Sequence, residues 1–198
     1  MPRYFIIYKP YQVLSQFSAS EGKQTLKDSF AVPSDVYPVG RLDYDSEGLL
    51  LLTNDTSLNY RLLHPQFRHE REYLVQVDGA IDEAAIRKLQ SGLTINIDGK
   101  PFRTSPCQAG IFKEPPALPE RNPPIRFRKH IPAPWIWMIL TEGKNRQVRK
   151  MTAAVGFPTL RLVRYRIGQI TLDGLQPGEM REMDRDEVYK KLFDYLSK

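Results

Sequence analysis

The chain has 198 residues, 41% apolar and 26% charged, which suits a globular fold with one large core or two smaller lobes. Lys and Arg outnumber Asp and Glu by 29 to 23, a net charge of +6 that favours a polyanionic partner. The single cysteine, Cys107, excludes an intrachain disulfide and points to a reducing compartment. No apolar run long enough for a secretory signal or a membrane-spanning helix is present, so a cytoplasmic protein is expected.

Tyr4 to Tyr8 is aromatic and β-branched, hence a strand, and Lys9-Pro10 ends it because proline offers no ladder donor. Thr25 to Phe30 suits a short helix with Leu26 and Phe30 on one face, closed by Pro33. Gly40-Arg41-Leu42-Asp43-Tyr44-Asp45-Ser46-Glu47-Gly48 is a charged, tightly turned loop that runs into four leucines. Leu49 to Thr53 reads as a buried strand, although periodicity alone also allows a buried helical turn. A loop held by a core strand is a good place to present a reactive carboxylate.

Beyond Asn54-Asp55 a helix carries Leu58, Leu62 and Leu63 and stops at His64-Pro65. Glu72 to Val77 alternates as a strand does, with Tyr73, Val75 and Val77 on one face. Asp82 caps a helix with Ile86 and Leu89 on one side and Gly92 at its end. Thr94 to Ile97 is a further strand before a turn at Asp98-Gly99. Between Pro101 and Pro134 lie nine of the 16 prolines together with Arg121, Arg126, Arg128, Lys129 and His130. That composition argues against any regular element and leaves two readings, a solvated surface loop or a stiffened arm that docks on RNA.

Trp135 to Thr141 is apolar on both faces, as in a central strand. From Arg146 a helix is expected, with Val148, Met151 and Val155 on one face and Arg146, Arg149 and Lys150 on the other; Gly156 and Pro158 stop it. A buried face with a basic back, and no acid between Gly143 and Val155, suits a helix laid over a phosphate backbone. Leu160 to Ile170 is an imperfect strand carrying Arg161, Arg164 and Arg166. Leu172 to Glu179 is rich in turns. Asp184 and Glu187 form a capping-box pattern before a last helix with Val188, Leu192 and Leu196 in register.

Several chemistries lack their residues. One cysteine and three histidines provide no zinc-ligand spacing, and there is neither a glycine-rich phosphate loop nor a Gly-x-Ser-x-Gly elbow. Asp43-x-Asp45-x-Glu47-Gly48 imitates the start of a calcium loop, but Asn54 stands where a bidentate glutamate is required. What remains is a carboxylate two residues from an arginine. Arg41 beside Asp43 is either a turn-stabilising ion pair or a means of keeping a nucleophilic carboxylate ionised.

Gly40-Arg41-Leu42-Asp43 followed by Asp45-Ser46-Glu47-Gly48-Leu49 resembles the signature loop of the RNA pseudouridine synthases, in particular the family typified by ribosomal small-subunit pseudouridine synthase A. The resemblance runs in order through Tyr8-Lys9-Pro10, this loop, Tyr73 in its strand, and Glu142 to Met151. Arg121-Asn122-Pro123-Pro124-Ile125-Arg126 is similar to a run in members that modify the large ribosomal subunit. Relatives often carry a small N-terminal RNA-binding domain, which a chain whose first strand starts at Tyr4 is expected to lack.

The resemblance implies an α+β fold over residues 1–198: a mixed, mainly antiparallel sheet in two lobes with flanking helices and a central active-site cleft. It makes Asp43 the catalytic aspartate, Tyr73 the residue that stacks on the target base or accepts its C5 proton, and Lys144 the cation paired with the aspartate. Many relatives have arginine at that last position. Val148 matches a hydrophobic position flooring the pocket, and Arg41 is expected to hold phosphate or the flipped nucleotide. Lys9, Arg146, Arg149, Lys150, Arg126 and Arg128 are expected at the RNA. The implied reaction is isomerisation of one uridine in 23S ribosomal RNA after the base leaves its stack, by a monomer that needs no cofactor because product and substrate are isomers. The alternatives are another RNA substrate, or a non-catalytic ribosome-assembly factor that keeps the fold; a binder has no need of a carboxylate that repels phosphate.

Overall fold

The computed structural model describes residues 1–126 and 128–193. The chain divides into two compact units, Met1–His69 with Arg164–Lys198, and Glu70–Val163. Strands joined by hydrogen bonds that are mainly antiparallel, with a few helices against them, make the fold α+β, as expected.

The first unit begins with β1 (Tyr4–Lys9), β2 (Val13–Leu14), β3 (Gln24–Thr25), α1 (Leu26–Ser29), β4 (Tyr37–Pro38), β5 (Glu47–Thr53) and α2 (Thr56–Leu63). The Asp28 carboxylate accepts from the Thr25 N–H at 2.7 Å and from its hydroxyl at 2.9 Å, which starts α1. Asp55 caps α2 by accepting from the Leu58 N–H at 3.1 Å. Every residue of β5 is buried. The reason is that both faces of this strand are covered. Leu50 and Leu52 share a core with Phe5, Ile7, Leu26 and Phe30, whereas Leu49 and Leu51 line an apolar space with Ile6, Ile167, Ile170 and Leu192. Each such leucine contributes about 1.5–3 kcal/mol of burial energy.

The second unit carries β6 (Arg71–Val77), α3 (Glu83–Gln90), β7 (Thr94–Ile97), β8 (Lys100–Arg103), β9 (Gln108–Ile111), β10 (Trp135–Leu140), α4 (Gln147–Ala154) and residues 159–163 of β11 (Thr159–Ile167). β10 lies between β6 and β9, antiparallel to both. Asp82 caps α3 through the Ala85 N–H at 2.8 Å. β7 and β8 form a hairpin whose two turn residues, Asp98 and Gly99, have φ of +50° and +82°, the left-handed pair that matches strand twist. The core gathers Val75, Val77, Ile86, Leu89, Ile136, Met138, Val148 and Met151.

The chain then returns to the first unit with the end of β11, followed by β12 (Ile170–Thr171), β13 (Met180–Met183) and α5 (Arg185–Phe193). β1 pairs antiparallel with β5 on one side, where Tyr8 faces Leu49 and Lys9 faces Gly48, and with β13 on the other. Val188 and Leu192 are buried as expected, while Leu196 lies outside the described residues.

Two expectations need correction. The proline-rich segment is not free of regular structure, since β8 and β9 fall within it. Its prolines avoid the sheet except Pro101, which faces Asn96 in a two-stranded hairpin where no third strand asks for its missing N–H. Leu63 is 44% exposed and does not join Leu58 and Leu62 in the core, because it lies a quarter turn further round the helix than Leu62. Leu172 to Glu179 is turn-rich as expected; β13 follows it and zips onto β1 through a pairing between chain ends that no local pattern signals.

Candidate active site

Asp43 lies half-buried on the loop between Val39 and β5, and the backbone on either side of it is held from the segment after β1. The buried Ser15 hydroxyl donates to the Leu42 carbonyl at 2.8 Å and accepts from the Leu42 N–H at 3.0 Å. The Gln12 N–H donates to the Tyr44 carbonyl at 2.9 Å, with Gln12 in the left-handed region at φ +59°. The loop also closes on itself, since the Ser46 N–H donates to the Asp43 carbonyl at 3.0 Å.

Lys9 shapes the segment that does this holding. Its side chain is wholly buried, and its Nζ donates to the Pro10 carbonyl at 2.8 Å and the Val13 carbonyl at 2.7 Å. The expected contact with RNA is therefore not its role, because an ammonium sealed from solvent cannot meet a phosphate. Burial pulls the Lys9 pKa down to about 7, opposed by Glu47, Asp43 and Asp45 and assisted by Arg164. Lys9 thus lies within the field of three carboxylates of the loop.

Arg164 is buried and its Nε donates to the Leu49 carbonyl at 2.8 Å. Gly48 lets this strand approach. A Cβ there would sit 2.4 Å from the Arg164 carbonyl oxygen, and φ at Gly48 is +114°. Arg41, by contrast, is exposed, and among the described residues its guanidinium takes no part in a hydrogen bond or ion pair. The ion pair with Asp43 that the sequence allowed is therefore not formed.

In the second unit Tyr73 is half-buried on β6, facing Met138 across the ladder and packed on the edge of the core. Val148 is buried in that core at the start of α4. The turn before α4 is built on Glu142, whose carboxylate accepts from the Ser105 N–H at 2.9 Å, the Ser105 hydroxyl at 3.1 Å and Gln147 Nε2 at 2.7 Å. Gln147 Oε1 in turn accepts from the Lys144 N–H at 3.0 Å. The exposed Lys144 places its ammonium 5.1 Å from the centre of the Phe102 ring. Arg146 is exposed at the helix start with φ +54°, while Arg149 and Lys150 are half-buried, so the back of α4 is less open than helical spacing suggests.

The proline-rich segment is tied down by several of its own cations. Arg121 Nε donates to the Pro123 carbonyl at 2.8 Å, and Arg128 forms an ion pair with Asp78. Arg161, buried in β11, donates to the Pro119 carbonyl at 2.9 Å and lies 5.8 Å from the Trp135 ring centre. Arg126 and Lys129 remain exposed.

Ser15, Gln12 and Arg164 were not singled out from the sequence. The one available signal was an arginine at position 164 between apolar neighbours in a strand, which implies a buried acceptor. The assembled first unit presents a carboxylate whose backbone is fixed on both sides beside a buried ammonium. Such a group is positioned to attack an electrophilic carbon or to take a proton.

Residues 3–154 match the family described as RNA pseudouridylate synthase. The ribosomal large subunit pseudouridine synthase E of Vibrio vulnificus is 51% identical over 178 residues, covering 90% of this chain and 74% of the relative. The protein of the same name from Xanthomonas campestris pv. campestris is 48% identical over 185 residues, covering 92% and 96%. A crystal structure of a pseudouridylate synthase superposes with a TM-score of 0.78 at 26% identity, over 97% of this chain and 74% of that one. Among the described residues, no helix is long and apolar enough to cross a membrane.

Proposed function

The chain belongs to the RNA pseudouridylate synthase family and is an RNA pseudouridine synthase, and from that premise we propose that it isomerises a uridine of large-subunit ribosomal RNA with Asp43 as the catalytic carboxylate. The substrate assignment rests on the relatives named for that RNA, and it puts the enzyme's work in the cytoplasm. The observation that carries the role of Asp43 is the double hold of Ser15 on Leu42, which presents this carboxylate from a loop anchored to a wholly buried strand.

In the reaction the N1–C1′ bond breaks, the uracil turns, and a C5–C1′ bond forms while C5 loses its proton and N1 gains one. Nothing is oxidised and no group leaves the molecule. A paired or stacked uracil must first be extruded, and extrusion costs least in an irregular RNA fold, which favours recognition by shape. Asp43 acts on the ribose or base of the flipped nucleotide. Tyr73 stacks on the base or takes the C5 proton, and Lys144 serves as the cation of the reaction. These two roles rest on the resemblance at their positions. Arg146, Arg149, Lys150 and Arg126 contribute to the field that draws in the RNA backbone, whereas Lys9 and Arg128 act within the protein. The exposed cations of the proline-rich segment make it an RNA-contacting element of the same proposal.

Release of tritium from 23S ribosomal RNA labelled at uracil C5 tests this reading directly. Wild-type protein is expected to release label while Asp43→Asn releases none, with RNA affinity kept in both. No release by the wild type on deproteinised RNA that it binds tightly would overturn the substrate assignment, and release by Asp43→Asn would overturn the role of Asp43.

A further inference from the structure

One surface of the first unit is unexplained by packing. On α2, Tyr60 is 57% exposed and Leu63 44% exposed, although both are large and apolar. Tyr60 lies 5.0 Å from the ring of His64 and 6.1 Å from that of Phe67, and His64 lies 6.0 Å from Phe67. The array continues inward: Phe67 stacks at 6.2 Å on His69, which meets Phe193 at 5.2 Å, and Arg61 covers Phe193 at 3.8 Å. Tyr60 is therefore the outer ring of an aromatic shelf rooted in the core, so little freedom is lost when something stacks on it.

The shelf adjoins the Asp43 loop. A Cβ on Gly40 would lie 3.1 Å from Leu63 Cδ2, and Asp43 is three residues further along the chain. Three residues span at most about 10 Å, which is no more than about three nucleotides at the ~3.4 Å spacing of a stacked strand. The charge around it also suits RNA. α2 contains no acidic residue, and its cap Asp55 already accepts from the Tyr4 and Tyr189 hydroxyls at 2.7 Å each. Arg41 and Arg68 are exposed on the segments that flank the shelf.

We propose that Tyr60, Leu63 and His64 form a stacking shelf for an unpaired nucleotide flanking the target uridine, with Arg41 on its phosphate. This rests on the reading of the substrate as RNA. A ring platform accepts any base, so the shelf adds affinity and holds the strand near Asp43 without reading sequence.

Tyr60→Ala and Tyr60→Phe test it on deproteinised 23S ribosomal RNA, with tritium release giving kcat and KM, filter binding giving affinity, and thermal melting checking the fold. Tyr60→Ala is expected to raise both KM and Kd about tenfold with kcat and melting temperature near wild type, and Tyr60→Phe to stay near wild type. Affinity of Tyr60→Ala within twofold of wild type, or an equal loss in Tyr60→Phe, would overturn the shelf. If the wild type binds RNA through Tyr60 yet releases no tritium, the shelf stands and the substrate assignment fails.

Discussion

The hydroxyl of Ser15 grips the peptide groups on both sides of Leu42, donating to its carbonyl at 2.8 Å and accepting from its N–H at 3.0 Å, one residue before Asp43. Few side chains can do this. A hydroxyl is both donor and acceptor on one short arm, so a single atom replaces a whole rung of ladder where the loop has left the sheet. The grip depends in turn on Lys9, whose bonds to the Pro10 and Val13 carbonyls curl the segment that carries Ser15.

Removing that hydroxyl leaves two buried backbone groups without partners. Ser15→Ala is expected to lower stability by about 1–3 kcal/mol in urea melts. The same change should lower kcat by about tenfold or more with KM little altered, because a catalytic group displaced by a fraction of an ångström loses its attack geometry. An unchanged kcat in a destabilised protein would show that Asp43 does not depend on this clamp.

Gly48 and Gly99 share a left-handed φ, +114° and +82°, but only Gly48 is crowded. An alanine at position 48 brings its Cβ to 2.4 Å from a backbone oxygen of Arg164, which cannot move without opening the strand, whereas nothing lies within 4 Å of a Cβ at position 99. Gly48→Ala is expected to cost more than ~3 kcal/mol and Gly99→Ala ~1 kcal/mol, compared by denaturant midpoints. Equal costs would mean that φ alone, and not the close approach, sets the requirement for glycine.

Lys9 makes stability depend on pH with a definite sign. Its folded pKa of about 7 lies below the ~10.4 of an unfolded lysine, so between those values the unfolded chain binds a proton that the folded chain does not. Stability from this group therefore rises from pH 7 to 10 and is lost again as pH falls through 7, by at most ~1.4 kcal/mol per unit. Lys9→Met removes the titration. The unfolding free energy of wild type minus that of Lys9→Met should grow steadily from pH 7 to pH 10, and a flat difference would show that Lys9 is not titrating near neutrality.

Much of the fold was legible along the chain. Tyr4 to Lys9, Leu49 to Thr53 and Trp135 to Leu140 announce their strands, and Asp55 and Asp82 announce the helices they cap, because each signal is a local rule of period or capping. The family was legible too, through the residues around Asp43. The fate of individual charges was not. Lys9, Arg161 and Arg164 count toward a basic, RNA-seeking surface in any sum over the sequence, yet all three are buried on carbonyl oxygens.

By itself the sequence determined the longer strands and helices and the family, since these depend on side-chain size, period and order along the chain. Only the tertiary structure decided which cations face solvent, that Leu63 and Tyr60 stay outside the core, that β13 completes the first unit beside β1, and that Ser15 rather than Arg41 steadies the loop. Each of those outcomes turns on a contact between residues far apart in the chain. A charge or a hydroxyl acquires its role only from the carbonyl, ring or carboxylate that folding brings against it.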